Sequence, residues 1–115
     1  MVMNEFNKNI ISPLKLTQII NNKKLKIIDC RWYINDKKKG NEEYKKEHIP
    51  GAIFFNLEKI SDLKSPIPHM LPKKEKFISF LKNNGITQDN DIVIYDQIGF
   101  FCSSRVWFTF SYYNF

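Results

Sequence analysis

At 115 residues and 13.7 kDa the chain has room for one domain with a buried core, but little room for a complete sheet covered on both faces. A hydrophobic content of 43%, with ten Phe, five Tyr and two Trp, excludes a disordered tail. The formal charge is +6, yet 16 of the 18 basic residues are lysines scattered along the chain, without Arg clusters, which argues for a solvated surface and against a nucleic-acid face.

The first nine residues, MVMNEFNKN, carry no long apolar run ahead of a small-residue cleavage site, and no later run reaches the length of a membrane span. A cytoplasmic protein with no membrane contact is therefore expected. Ile10 and Ile11 predict a short edge strand. Ser12 followed by Pro13 reads as a helix start, an N-cap oxygen and then a residue whose fixed φ suits the first helical position. Leu16, Ile19 and Ile20 line one face of that helix, which ends near Asn21 or Asn22. Leu25 to Asp29 is a buried strand whose exit is Cys30, Arg31 and Trp32. An Asp, a Cys and an Arg at one strand end resemble a site, but a strand exit also needs groups that bind neighbouring amides, and the structural role is preferred for Asp29.

From Tyr33 to Glu47 the chain is charged. Lys37, Lys38, Lys39 and Gly40 mark an exposed turn there, and Tyr44 anchors a short helix. In HIPGAIFF, residues 48–55, Pro50 and Gly51 set a turn that delivers Ala52 to Phe55 as a third strand, with His48 as a hydrogen-bonded structural residue. Residues 56–72 hold three prolines and no period, so they read as a stiffened loop suited to walling a pocket. Within it His69 is a candidate proton shuttle or anion ligand, with Glu58 or Asp62 orienting its ring. Residues 73–84 form an amphipathic helix presenting Phe77, Phe80 and Leu81, and Gly85 supplies its left-handed cap.

After a turn at Asp89 and Asn90, the uninterrupted apolar run Ile92 to Tyr95 suits a parallel strand covered on both faces. Asp96, Gln97 and Gly99 interrupt it, and Ser103 or Ser104 can cap the helix that follows. Polar groups and amides should thus gather at the carboxyl end of the strand, where open α/β sheets place ligands. Cys102, Ser103, Ser104 and Arg105 read as a candidate anion-binding loop, and Cys102 as either a nucleophile or a packed loop cysteine. Val106, Trp107 and Phe110 fit the inward side of the helix. Asn114 suits the left-handed turn that ends it, with nothing following to use that turn. Two cysteines are too few for a disulfide framework and imply reduced thiols, and no zinc spacing, P-loop or dinucleotide fingerprint is present, so no metal or organic cofactor is expected.

IIDCRWY at 27–33, HIPGAIFFNLEKISD at 48–62, SPIPHMLP at 65–72, NNGITQDNDIVIYD at 83–96 and GFFCSSRVWFTF at 99–110 resemble, in order and spacing, the amino-terminal domain of the two-domain rhodanese-like sulfurtransferases, the group of thiosulfate and 3-mercaptopyruvate sulfurtransferases. The resemblance implies an α/β fold, a rhodanese-like parallel sheet flanked by helices. It also implies transfer of sulfane sulfur from thiosulfate or 3-mercaptopyruvate to a thiol or cyanide, through a persulfide on a cysteine of the carboxyl-terminal domain. Asp96 stands where the catalytic copy has that cysteine, and Cys102 falls later in the loop, near where relatives commonly have serine, so no residue here matches the family nucleophile. His69 resembles a histidine proposed to handle protons with an acidic residue, here Glu58 where Asp is usual. Ser103, Ser104 and Arg105 fall on the substrate-side loop, with Arg105 ordering it through an ion pair.

Relatives continue past the YYNF region with another strand, further helices and the catalytic domain. Residues 1–115 are therefore expected to be a partial rhodanese-like domain, incomplete at its carboxyl end and inactive alone. The family's next strand would lie beside Ile92 to Tyr95, so the isolated chain is expected to be marginally stable. A separate carboxyl-terminal rhodanese domain is the implied partner. A small anion- or protein-binding module using residues 96–105 is the alternative.

Overall fold

The protein is described by a computed structural model over residues 9–99 and 102–115. The amino-terminal segment read above, up to residue 8, and the pair Phe100 and Phe101 lie outside the described residues. Ser12 opens the first helix as its side chain accepts the Lys15 amide at 3.1 Å, and Pro13 takes the first position of α1 (Pro13–Ile19). The edge strand expected at Ile10 and Ile11 is not formed. Ile11 instead packs its side chain against Leu16, Ile27 and Ala52, a use of apolar surface that needs no backbone partner.

Three parallel strands follow: β1 (Leu25–Asp29), β2 (Ile53–Phe54) and β3 (Asp91–Tyr95), in the order β2-β1-β3. β1 is thus the central strand, and its alternating side chains feed two cores. Ile28 goes to one side, with Phe55, Phe77, Phe80, Leu81, Val106 and Phe110. Ile27 goes to the other, with Leu16 and Ala52. This two-sided burial is why Ile27 and Ile28 of β1 and the run Ile92 to Tyr95 of β3 are apolar at successive residues and lack the alternation of a half-wet strand. β3 pairs with β1 along one edge, Lys26 opposite Ile92 through Asp29 opposite Tyr95.

Between β1 and β2 runs α2 (Lys39–Lys46). Lys39 and Gly40 lie inside it, where an exposed turn was expected. Gly40 is buried, and a Cβ there would stand 2.1 Å from the carbonyl oxygen of Arg31, so the glycine lets the helix touch the β1 exit. Gly40→Ala should lower stability by about 1–3 kcal/mol through this overlap, measured by urea denaturation. A wild-type midpoint would show that the helix can back away from Arg31 without loss. Tyr44 anchors α2 as expected, donating its hydroxyl to the Ala52 carbonyl at 2.6 Å and stacking on His48 and Phe54. His48 is structural, its Nδ1 2.6 Å from the Tyr44 carbonyl oxygen.

Residues 56–72 are not wholly a loop. Asn56 accepts the Lys59 amide and starts the short α3 (Leu57–Ile60), whose four residues are too few to show a period. α4 (Lys74–Asn83) buries Phe77, Phe80 and Leu81 and closes on Gly85 at φ +64°, where the Ile86 amide reaches the Leu81 carbonyl. α5 (Ser103–Tyr112) ends the same way with Asn114 at φ 68°. Phe115 does use that turn: its amide bonds to the Phe110 carbonyl at 2.9 Å and its ring packs on Phe77 and Phe110. On α5 Val106 and Phe110 face the core, but Trp107 is 44% exposed and Thr109 is buried, because three to four residues per turn carries position 107 off the buried face. Among the described residues no helix is long and apolar enough to cross a membrane.

Candidate active site

Asp29 ends β1 fully buried, which is tolerable for a carboxylate only with several donors. It has them. The Arg31 guanidinium grips both oxygens through Nε and Nη2, the Arg31 amide donates at 3.0 Å, and the Tyr95 hydroxyl donates at 2.8 Å. Arg31 also reaches Glu43 on α2 and the Glu47 carbonyl. The cluster fastens the β1 exit to β3 and α2, the structural role preferred for Asp29. Its hydrogen bond to Asp29 raises the Arg31 pKa, and burial raises that of Tyr95, reinforced by the Asp29 carboxylate.

The next residue, Trp32, lies at the centre of a second cluster. Its backbone is held by the side chain of Gln97 from the loop after β3: the Trp32 amide donates to Oε1 at 3.3 Å and Nε2 donates to the Trp32 carbonyl. The indole Nε1–H donates to Oε1 of Glu58 on α3 at 2.7 Å. The same oxygen lies 2.7 Å from Nε2 of His69, and the His69 ring meets the indole edge-on at 4.8 Å between centroids. Lys37 approaches the other Glu58 oxygen at 3.9 Å. Burial alone would raise the Glu58 pKa, but hydrogen bonds from His69 and Trp32 and the nearby positive charges outweigh it and hold the carboxyl below its ordinary range. An ionised Glu58 only accepts, so Nε2 of His69 carries the proton and Nδ1 is the nitrogen that can take or give one. Glu58 is thus the acidic partner; Asp62 accepts the Lys64 amide in its own turn.

His69 has φ 56°, a left-handed backbone uncommon for a residue with a side chain. Arg105, in the first turn of α5, donates to the His69 carbonyl and braces that conformation. The contact is to a carbonyl oxygen and not to a carboxylate, so loop ordering by Arg105 runs through a hydrogen bond to main chain.

At the start of α5 neither serine caps the helix. The cap is Asp96, whose Oδ2 accepts the amides of Cys102 at 2.6 Å and Ser103 at 2.7 Å. A carboxylate there is favoured by the helix dipole and closes the loop from within. Ser103 is consequently buried, whereas Ser104 is exposed on the same turn. Both thiols are buried and unpaired. Burial, and then the Asp96 charge, push the Cys102 thiol up to about 11 and drive Cys30 well above its usual range. With a pKa of about 11, only about one Cys102 thiol in a thousand would be ionised at pH 8. Iodoacetamide at pH 8 should therefore label the native chain far more slowly than the urea-unfolded chain, read by mass spectrometry. Equal rates would show that a thiol is open and activated.

Of the two acidic candidates, Glu58 and Asp62, it is Glu58 that lies against the His69 ring, and the supports Trp32 and Gln97 were not read from the sequence. The available signal was an indole N–H at a strand exit, a donor that must find an acceptor when partly buried. Among the described residues no group of His, Cys, Asp and Glu forms a metal site.

Residues 12–115 match the rhodanese-like domain family. The chain is 39% identical over 108 residues to a probable 3-mercaptopyruvate sulfurtransferase of Schizosaccharomyces pombe, covering 93% of this chain and 35% of the relative. It is 44% identical over 87 residues to thiosulfate/3-mercaptopyruvate sulfurtransferase 1, mitochondrial, of Arabidopsis thaliana, covering 75% of this chain and 23% of the relative. Its fold superposes on the crystal structure of a 3-mercaptopyruvate sulfotransferase from Escherichia coli with a TM-score of 0.78 and 35% identity, over 84% of this chain and 38% of that one. The chain thus spans about a third or less of the length of these curated relatives.

Proposed function

Because the chain belongs to the rhodanese-like domain family, we propose that it serves sulfane-sulfur transfer from 3-mercaptopyruvate or thiosulfate to a thiol or cyanide, as the non-catalytic amino-terminal part of a two-domain enzyme. The observation that carries this reading is Asp96. In the loop after β3 its carboxylate occupies the amides at the start of α5, where a transferring enzyme would need a thiolate. A carboxylate cannot store sulfur, and the two thiols are buried with raised pKa values. The persulfide is therefore formed on a cysteine supplied by a second rhodanese domain, and this chain contributes the wall facing it.

In that wall His69 is the proton-handling group, working through Nδ1 while Glu58 holds Nε2–H. Protonating the leaving carbon of mercaptopyruvate as sulfur departs, or deprotonating an acceptor thiol, is chemistry suited to an imidazole. Ser104, which is exposed, and Arg105, which reaches the His69 carbonyl, form the adjoining wall for the donor, with buried Ser103 behind them. The alternative anion- or protein-binding role of residues 96–105 is weakened because Asp96 already holds the Cys102 and Ser103 amides. Unpaired, buried thiols support a reducing compartment, the cytoplasm or the mitochondrion of the Arabidopsis relative.

The test is an assay with both donors on the purified chain, alone and after addition of a cysteine-bearing carboxyl-terminal domain. Turnover should need the added domain. Turnover by the chain alone, above that of a Cys30→Ser/Cys102→Ser variant, would refute the proposal and place the nucleophile here.

A further inference from the structure

We propose that Trp32 is the positioning residue of the His69–Glu58 pair: one indole N–H and one ring face fix both the carboxylate and the imidazole in their working orientation. This rests on the proton-handling role proposed for His69. Glu58 is a long side chain with three torsions, and without a second anchor its carboxylate would swing among rotamers of similar energy. Two short contacts to the same oxygen, from Trp32 Nε1 and His69 Nε2, both 2.7 Å, remove that freedom. The indole also fills the space beside the imidazole, with its ring centroid 4.8 Å away at an interplanar angle of 74°. The imidazole is therefore bounded by the carboxylate at one nitrogen and by an aromatic plane beside it.

Trp32 can do this because it is itself held. Gln97 receives and donates at its main chain, in the manner of a strand neighbour, and the preceding residue Arg31 is locked on Asp29. The rigidity of the two strand exits is passed to the Trp32 side chain, and from there to Glu58 and His69. A site supported in this way keeps its geometry within the tolerance that proton transfer requires.

Trp32→Phe removes the donor, keeps an aromatic plane and leaves the Gln97 contacts, which are to main chain. In the chain itself, carbon-detected NMR of Glu58 should show its carboxyl titrating at higher pH in Trp32→Phe than in wild type, because one hydrogen bond to the ionised form is lost. In the enzyme completed with its cysteine-bearing domain, kcat should fall about tenfold with KM little changed, since orientation and not donor binding is lost. In a His69→Ala background the same substitution should cost nothing further. An unmoved Glu58 titration, or an equal loss with His69 absent, would overturn the role of Trp32 while leaving the His69 reading standing. Full activity of His69→Ala alone would sink the proton-handling role, and the catalytic part of this inference with it.

Discussion

Replacing His69 by Ala in the completed enzyme is expected to lower kcat/KM for 3-mercaptopyruvate by about 10²- to 10⁴-fold, the usual contribution of a positioned proton-transfer group. The expectation follows from the geometry: an ionised Glu58 fixes the proton on Nε2, so Nδ1 is held as the basic nitrogen by a partner 2.7 Å away. Glu58→Gln keeps the shape and an acceptor oxygen but removes the charge that favours this arrangement, so its loss should be smaller. Cys102→Ser should be mild, because the thiol's hydrogen bond to the Trp32 carbonyl is a long one at 3.8 Å and the hydroxyl is close in size. Steady-state kinetics of the three variants, after confirming that each assembles with the cysteine-bearing domain, make the comparison. Near-normal turnover by His69→Ala together with loss of persulfide formation in Cys102→Ser would reverse the assignment.

The largest effect on stability is expected from Arg31→Met. Asp29 is fully buried and its two oxygens face the guanidinium; Tyr95 and the Arg31 amide are its other donors. Removing the arginine leaves a buried carboxylate short of its compensating charge, which costs about 3–5 kcal/mol in comparable cases. Against the roughly 5–15 kcal/mol that holds a domain of this size, such a loss is a large fraction of the total and should appear as a clear drop in Tm. Asp29→Asn/Arg31→Met should recover part of it, since a neutral amide needs no counter-charge. Circular dichroism melts of the single and double variants read both numbers. A double variant no more stable than Arg31→Met would mean that Arg31 acts through its links to Glu43 and Glu47, with the Asp29 charge a minor factor.

The cysteines show how chemistry depends on surroundings. As a residue type in a loop at a strand end, Cys102 was open to two readings, nucleophile or packed thiol. Burial at 2% exposure and the Asp96 carboxylate at the same helix start both act against the thiolate, and neither is a property of the residue itself. The same carboxylate explains why Ser103 and Ser104, good capping residues by type, do not cap α5: a charged acceptor from the strand end reached the amides instead.

What the sequence determined by itself are the features that depend on neighbours along the chain. Ser12 and Pro13 start a helix, Gly85 ends one, and successive apolar residues, Ile27 and Ile28 in β1 and Ile92 to Tyr95 in β3, make strands that meet a core on each face. Each is a local preference, strong enough to be read over a few residues. The tertiary structure decided what depends on approach between distant segments. Gly40 had to be small because the Arg31 carbonyl comes against it. Phe115 found use for the Asn114 turn because Phe77 and Phe110 stand where it folds back. Glu58 rather than Asp62 became the partner of His69 because the indole of Trp32, 26 residues earlier, holds its carboxylate in reach. Hydrogen bonds and steric contact act over a few ångströms, so these choices are made only once the strands have brought residues 32, 58, 69 and 97 to one end of the sheet.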